Sequence, residues 1–204
     1  MDNSKPVIAA FDFDGTMTTR DSFPSFLSFA AGKWATAKKL ISLSPQFAGF
    51  LIHKISRQEV KEAVLKIFFE GIPLEQLQEL GMSFARSSNM AKLLRPEALK
   101  RLDWHLRQGH HCILISASIN AYLDPWSRQK GFSDAICSQL AVDENGNATG
   151  LLEGLNCWGP EKTRRLIELA GPKGDYTLYA YGDSRGDQEL LEMADYPFYR
   201  KMQE

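Results

Sequence analysis

The sequence predicts an α/β fold in three layers, a parallel sheet between helices, with a helical bundle inserted into it. Three short apolar runs end in polar or acidic residues: VIAAFDFD at 7–14, HCILISAS at 111–118 and YTLYAYGD at 176–183. Such runs read as buried parallel strands. Helical patterns alternate with them, and alternation of this kind implies a parallel sheet with helices on its faces. The first two runs are also separated by roughly a hundred residues that read mostly as helix, far more than an ordinary crossover requires.

The inserted stretch is placed at Ser22 to Leu94. Its pieces are SFPSFLSFAAGKWATAKKLISL, SRQEVKEAVLKIFFEG and PLEQLQELGMSFARSS, punctuated by Gly, Pro and Ser. After it, PEALKRLDWHLRQG at 96–109 has Pro at its start and Gly at its stop. PEKTRRLIELAG at 160–171 repeats that grammar. Between the two, LAVDENGNATGLLEG at 140–154 reads as a β-hairpin around Asn145-Gly146. Asn147-Ala148-Thr149 is taken as part of that turn, and YPFYRKMQE at the end as a last edge strand.

Composition narrows the function. The 24 basic and 25 acidic residues nearly cancel, without a block of like charge, which speaks against a nucleic-acid partner. Cys112, Cys137 and Cys157 are odd in number and widely spaced, so neither a disulfide framework nor a zinc site is expected, and a reducing cytoplasm fits. The apolar run near the N-terminus is too short for a secretion signal, and no run reaches the ~20 residues of a spanning helix.

In an α/β sheet, ligands bind beyond the carboxyl ends of the strands, where this chain puts Asp12, Ser116 and Asp183. Asp12 and Asp14, with Asp183 and Asp187 of YGDSRGDQELL, bring four carboxylates to neighbouring strand ends. So many like charges repel one another unless a cation sits among them, and Mg²⁺, held by one or two carboxylates and a substrate phosphate, is the natural occupant. An Asp can also attack phosphorus, with a second carboxylate as general acid and base, and alternation around Phe13 sends Asp12 and Asp14 the same way. Ser116 and Lys162 offer a hydroxyl and an ammonium to the phosphoryl oxygens. Gly15 and Thr16 offer a tight turn, backbone amides and a hydroxyl.

The motifs DFDGT, LISAS, GPEK and YGDSRGD, in that order, resemble the four motifs of the haloacid-dehalogenase superfamily, closest to its phosphoserine-phosphatase-like branch. The resemblance implies a three-layer α/β/α Rossmann-like core at 1–21 and 95–204, with a helical cap at 22–94. It makes Asp12 the nucleophile and Asp14 the general acid/base, with Gly15, Thr16, Ser116, Ala117 and Lys162 on the phosphate. Mg²⁺ would be held by Asp12, the Asp14 carbonyl and Asp183, supported by Asp187. The implied activity is hydrolysis of a small phosphorylated metabolite, phosphoserine-like or other, through an aspartyl-phosphate.

The cap is less determinate. Asp21 either reads a substrate amine or caps the helix beginning near Pro24. Arg57 and Lys61 are the nearest candidates for the branch's cap arginine, although their helical context reads as a solvated face. Where that branch has glycines after the second-motif serine, this chain has Ala117 and Ser118, which turns attention to other substrates. Trp158 is placed as a wall of the pocket. The four histidines read as packed or solvated, and Trp34, Trp104 and Trp126 as core or cap aromatics. The apolar cap pieces read as bundle packing, with contact to a membrane surface or acyl chains, and a phosphatidylglycerophosphate-type substrate, as the alternative. Two rivals stand beside hydrolysis, a phosphotransferase with the same intermediate and a non-catalytic phospholigand-binding domain. The oligomeric state is left open.

Overall fold

The computed structural model describes residues 5–203. The first four residues of the N-terminal stretch weighed against a secretion signal lie outside them. Five strands form one sheet in the order β3-β2-β1-β6-β7, and every neighbouring pair is parallel. They are β1 (Val7–Phe11), β2 (His111–Ile119), β3 (Asp134–Ser138), β6 (Thr177–Gly182) and the edge strand β7 (Tyr196–Tyr199). A hairpin of β4 (Leu140–Val142) and β5 (Ala148–Leu152) stands apart. Its turn is organised by Asp143, whose carboxylate accepts from the amides of Asn145 and Asn147, each at 2.9 Å.

Alternation along β1 feeds two layers. Ala9 and Phe11 join a core with Leu102 of α7 (Pro96–Arg107) and Trp126 of α8 (Asn120–Lys130). Ile8 and Ala10 face the other way, onto Leu166 of α9 (Pro160–Ala170) and Leu190 of α10 (Gln188–Met193). That is the period of two expected of a strand buried on both faces.

Between β1 and α7 lie α1 (Phe23–Ala31), α2 (Lys33–Ser42), α3 (Ser44–Leu51), α4 (Arg57–Phe69), α5 (Leu74–Ala85) and the short α6 (Ser88–Ala91). The long first piece is broken into α1 and α2 at Gly32, whose φ of 80° lies where glycine is favoured. The insertion shares a core with the sheet layer: Phe26 and Phe84 lie 4.8 and 5.4 Å from the Tyr122 ring of α8. Closest approach falls at Gly81 of α5, where any Cβ would collide with the carbonyl of Ala121. The hairpin leans on the insertion as well, for the Gly71 amide donates to the Ala148 carbonyl at 2.8 Å.

Two sequence expectations are corrected here. Trp34 is not a packed aromatic but 91% exposed, because α2 turns Thr36 rather than Trp34 toward its neighbours. Trp104 is also only partly covered, with Arg101 4.1 Å above its ring. Trp126 is fully buried, and so is His105, which bonds the Tyr181 hydroxyl at 2.8 Å.

Candidate active site

Register fixes where the chemistry emerges. Phe11 pairs with Leu114 on one side and Tyr181 on the other, so Asp12, Ser116 and Asp183 come together at the carboxyl end of the central strands. Strand order runs from β1 through β2 to β3 one way and through β6 to β7 the other, and the β1/β6 boundary is the switch point where α/β sheets bind ligands. A cavity of about 450 Å³ opens there, lined by Asp12, Asp14, Ser116, Ala117, Lys162 and Asp183 among others.

On its floor the Lys162 Nζ lies 2.6 Å from Asp12 Oδ1 and 2.6 Å from Asp187 Oδ1, all three side chains being buried. Burial opposes a charged lysine, yet Asp12 and Asp187 outweigh it and hold the ammonium above its ordinary pKa. Lys162 in turn outweighs burial at Asp187, whose carboxyl is held low. Burial dominates at Asp12 and pushes its carboxyl up.

Asp187 is fully engaged. Its second oxygen accepts from the amides of Asp183 and Ser184 at 3.2 and 3.1 Å and from the Ser184 hydroxyl at 2.8 Å. Asp183 differs, since its Oδ1 is buried without any partner. Asp12, Asp183 and Asp187 each offer an oxygen within 4.8 Å of the others. A buried, unpaired carboxylate oxygen beside two further acids is the donor set a hard cation takes. Gly15 keeps the approach open: at φ 85°, a Cβ there would strike the Asp183 carboxylate.

Asp14 stands above this floor on the turn that follows β1. Its Oδ1 accepts from the Ser22 amide at 2.7 Å and its Oδ2 from the Ser118 hydroxyl at 2.5 Å. Burial, with the charge of Asp21, pushes its carboxyl up to about 6, while those hydrogen bonds draw it back. Ser118 therefore positions Asp14 where the resemblance leads one to expect glycine. Ser116, itself buried, accepts from the Ser118 amide at 3.0 Å.

Other predicted residues fall less simply. The Gly15 amide is spent on the Thr18 hydroxyl at 3.1 Å, so it is not a free donor for phosphate. Thr16 is buried, its hydroxyl is unpartnered, and it lines a neighbouring cavity rather than this one. Asp21 borders the cavity, but its Oδ1 accepts from the Phe23 amide at 2.9 Å, the helix-start role. Trp158 forms one wall, its indole edge packed over Gly186.

Lys61 overturns the reading of a solvated face. Helix α4 begins with a capping box in which Ser56 accepts from the Glu59 amide at 3.1 Å and donates its own amide to Glu59 at 2.7 Å. That start aims Lys61 across the cavity mouth, where its ammonium donates to the Ala117 carbonyl at 2.5 Å and to the Asn156 side chain. Burial pushes it down to about 8 against the pull of Asp14 and Asp21. Arg57, one turn earlier, stays exposed but lays its guanidinium 5.0 Å above the Trp158 ring. One signal was available, since positions 61, 64, 65 and 68 form a single helical stripe whose last three members are buried. Asn156 and Ser22 had none.

Comparison with known proteins identifies the family. The family model for haloacid dehalogenase-like hydrolases matches residues 9–192. Protein CicA of Caulobacter vibrioides is 34% identical over 197 residues, covering 96% of this chain and 86% of its own. A phosphoserine phosphatase of Archaeoglobus fulgidus is 23% identical over 195 residues, covering 94% of this chain and 52% of its own. Among solved structures, a protein of unknown function from Bordetella pertussis Tohama I superposes with a TM-score of 0.82 at 22% identity, over 96% of this chain and 90% of its own. The chain therefore belongs to the haloacid dehalogenase-like hydrolases.

Proposed function

We propose that this enzyme hydrolyses a phosphate monoester through a covalent aspartyl-phosphate on Asp12. The observation that carries the reading is the buried Lys162 bridging Asp12 and Asp187, with Asp14 beside it in the same cavity. An oxygen of Asp12 attacks phosphorus, the bond from phosphorus to the ester oxygen breaks, and the Asp14 carboxyl gives its proton to the departing alkoxide. Asp14, now a carboxylate, takes a proton from water as that water attacks phosphorus and releases Asp12. Lys162 and Ser116 bind the phosphoryl oxygens and orient them for attack. The unpaired Asp183 oxygen supports Mg²⁺ at Asp12 and Asp183, with Asp187 as a brace and the Asp14 carbonyl as a further donor. When bound, such an ion neutralises charge shared by the carboxylates and the phosphate.

The helices from 22 to 94 act as a cap on a core made of the remaining segments, and Lys61 latches the two together. The cavity of about 450 Å³ suits the phosphorylated end of a small metabolite. Three free, buried cysteines fit a reducing cytoplasm, and among the described residues no helix is long and apolar enough to cross a membrane. The test is phosphate release from a panel of aryl phosphate, phosphoserine, sugar phosphates and phosphorylated lipids, with and without Mg²⁺. Release that needs Mg²⁺ and vanishes in Asp12→Asn is the expected result. Release that persists in Asp12→Asn, or none from any substrate, overturns the reading.

A further inference from the structure

From Ser22 to Gln58 the chain contains no Asp or Glu at all, although acids and bases balance over the whole sequence. The same segment carries Lys33, Lys38, Lys39, Lys54 and Arg57. Lys39 is engaged, donating to the Ile67 carbonyl at 2.8 Å. Lys33, Lys38 and Lys54 are exposed, and none of the ion pairs among the described residues involves them.

The most exposed large apolar side chains of the described residues fall in this segment too. Trp34 is 91% exposed, Leu51 75%, Ile41 71% and Ile52 62%. Trp34, Lys38 and Ile41 stand at the spacing of one helical face on α2, opposite the buried Thr36, while Leu51 and Ile52 end α3. Scattered single apolar residues on a surface need no explanation, but the four extremes gathered in nineteen residues that carry lysines and no acid do.

We propose that the outer face of α2 and the end of α3 form a docking surface for an anionic lipid bilayer. Tryptophan and branched aliphatic side chains enter the interface between headgroups and acyl chains, and exposed lysines among them are drawn to the negative surface. The missing carboxylates are what select this occupant: a second copy of the same face would bring lysine against lysine, whereas an anionic membrane complements it. The first residue of α2, Lys33, reaches toward the reaction site. It lines a second cavity with Lys92 and Ser28, and that cavity shares Arg20 and Asp21 with the catalytic one. This inference goes beyond the proposed hydrolysis and does not depend on it.

The test is co-sedimentation of the full chain with vesicles of phosphatidylcholine alone and of phosphatidylcholine mixed with phosphatidylglycerol, each at low and high salt. Binding is expected to the mixed vesicles and to weaken with salt, since charges near the surface are screened over about 8 Å at physiological ionic strength. Lys38→Gln should weaken it about fivefold, and Trp34→Ser about tenfold, with thermal melting unchanged in both. The proposal fails if the wild type ignores the mixed vesicles or if the two variants bind as well as it does. It fails equally if the wild type instead self-associates, in a sedimentation equilibrium that Trp34→Ser reverses, because a second copy then covers this face. All these readouts are binding or assembly, so a chain without turnover can still pass them.

Discussion

Lys162 and Lys38 belong to opposite regimes. On the cavity floor Lys162 is 2% exposed and held between two carboxylates, whereas Lys38 on α2 stands in solvent within a segment that has no acid. Burial makes partners obligatory, because an unpaired charge out of water is severely penalised. Exposure lifts that requirement, and the face of α2 retains cations and apolar surface that the fold itself does not use. The floor is thus organised by internal satisfaction, and the outer insertion by what remains unsatisfied.

The comparison breaks most visibly at the lysines. Lys162→Met leaves Asp12 and Asp187 buried without their counter-charge, so stability should fall by about 3–5 kcal/mol. Phosphate release should fall with it, by about a thousandfold or more. Lys38→Met is the matched control and should stay within about 0.5 kcal/mol of the wild type. Denaturant melts of the two variants check both values.

Next in size is Gly15→Ala. Its Cβ strikes the Asp183 carboxylate and its φ of 85° is strained for alanine, a cost of about 1–3 kcal/mol. Because the struck group is the one with the unpaired oxygen, a Mg²⁺ titration of activity should shift to higher concentration even where the protein remains folded. Smaller is Lys61→Met, which removes the donor to the Ala117 carbonyl and Asn156. A loss of about 0.5–1.5 kcal/mol in stability is expected, because the Ser138 hydroxyl still donates to both acceptors, with KM raised more than kcat is lowered.

The subtlest prediction concerns pH. In the proposed mechanism Asp14 carries the proton for the leaving group, and its carboxyl is raised to about 6, so phosphoryl transfer to Asp12 should decline as pH climbs through that value. The Ser118 hydroxyl favours the carboxylate form. Ser118→Ala should therefore raise the Asp14 pKa and carry the descending limb of kcat/KM to higher pH. A shift to lower pH would remove Ser118 from that role.

Much of the floor was legible in the sequence because its residues sit in short motifs at strand ends, where an apolar run stops and a carboxylate follows. β1, β2 and β6 announced themselves through unbroken apolar stretches; β3, with Asp134 at its start and only its last two residues buried, did not. The partners of Asp14 were less visible, since Ser118 is 104 positions away and a serine carries no local sign of its task. Lys61 and Asn156 meet across 95 positions, a contact created only when α4 settles over the sheet edge. Trp34 was misread for a different reason: a large aromatic ordinarily finds cover, and periodicity does not say which face of a helix goes uncovered.

The central claim, a covalent phosphoryl group on Asp12, is tested most directly by acid-quenching the enzyme during turnover of an aryl phosphate and mapping the peptides by mass spectrometry. One added phosphoryl group on the peptide containing residue 12, absent in Asp12→Asn, is the predicted result. Turnover with no phosphorylated enzyme at any quench time, or phosphate found on another residue, would contradict it.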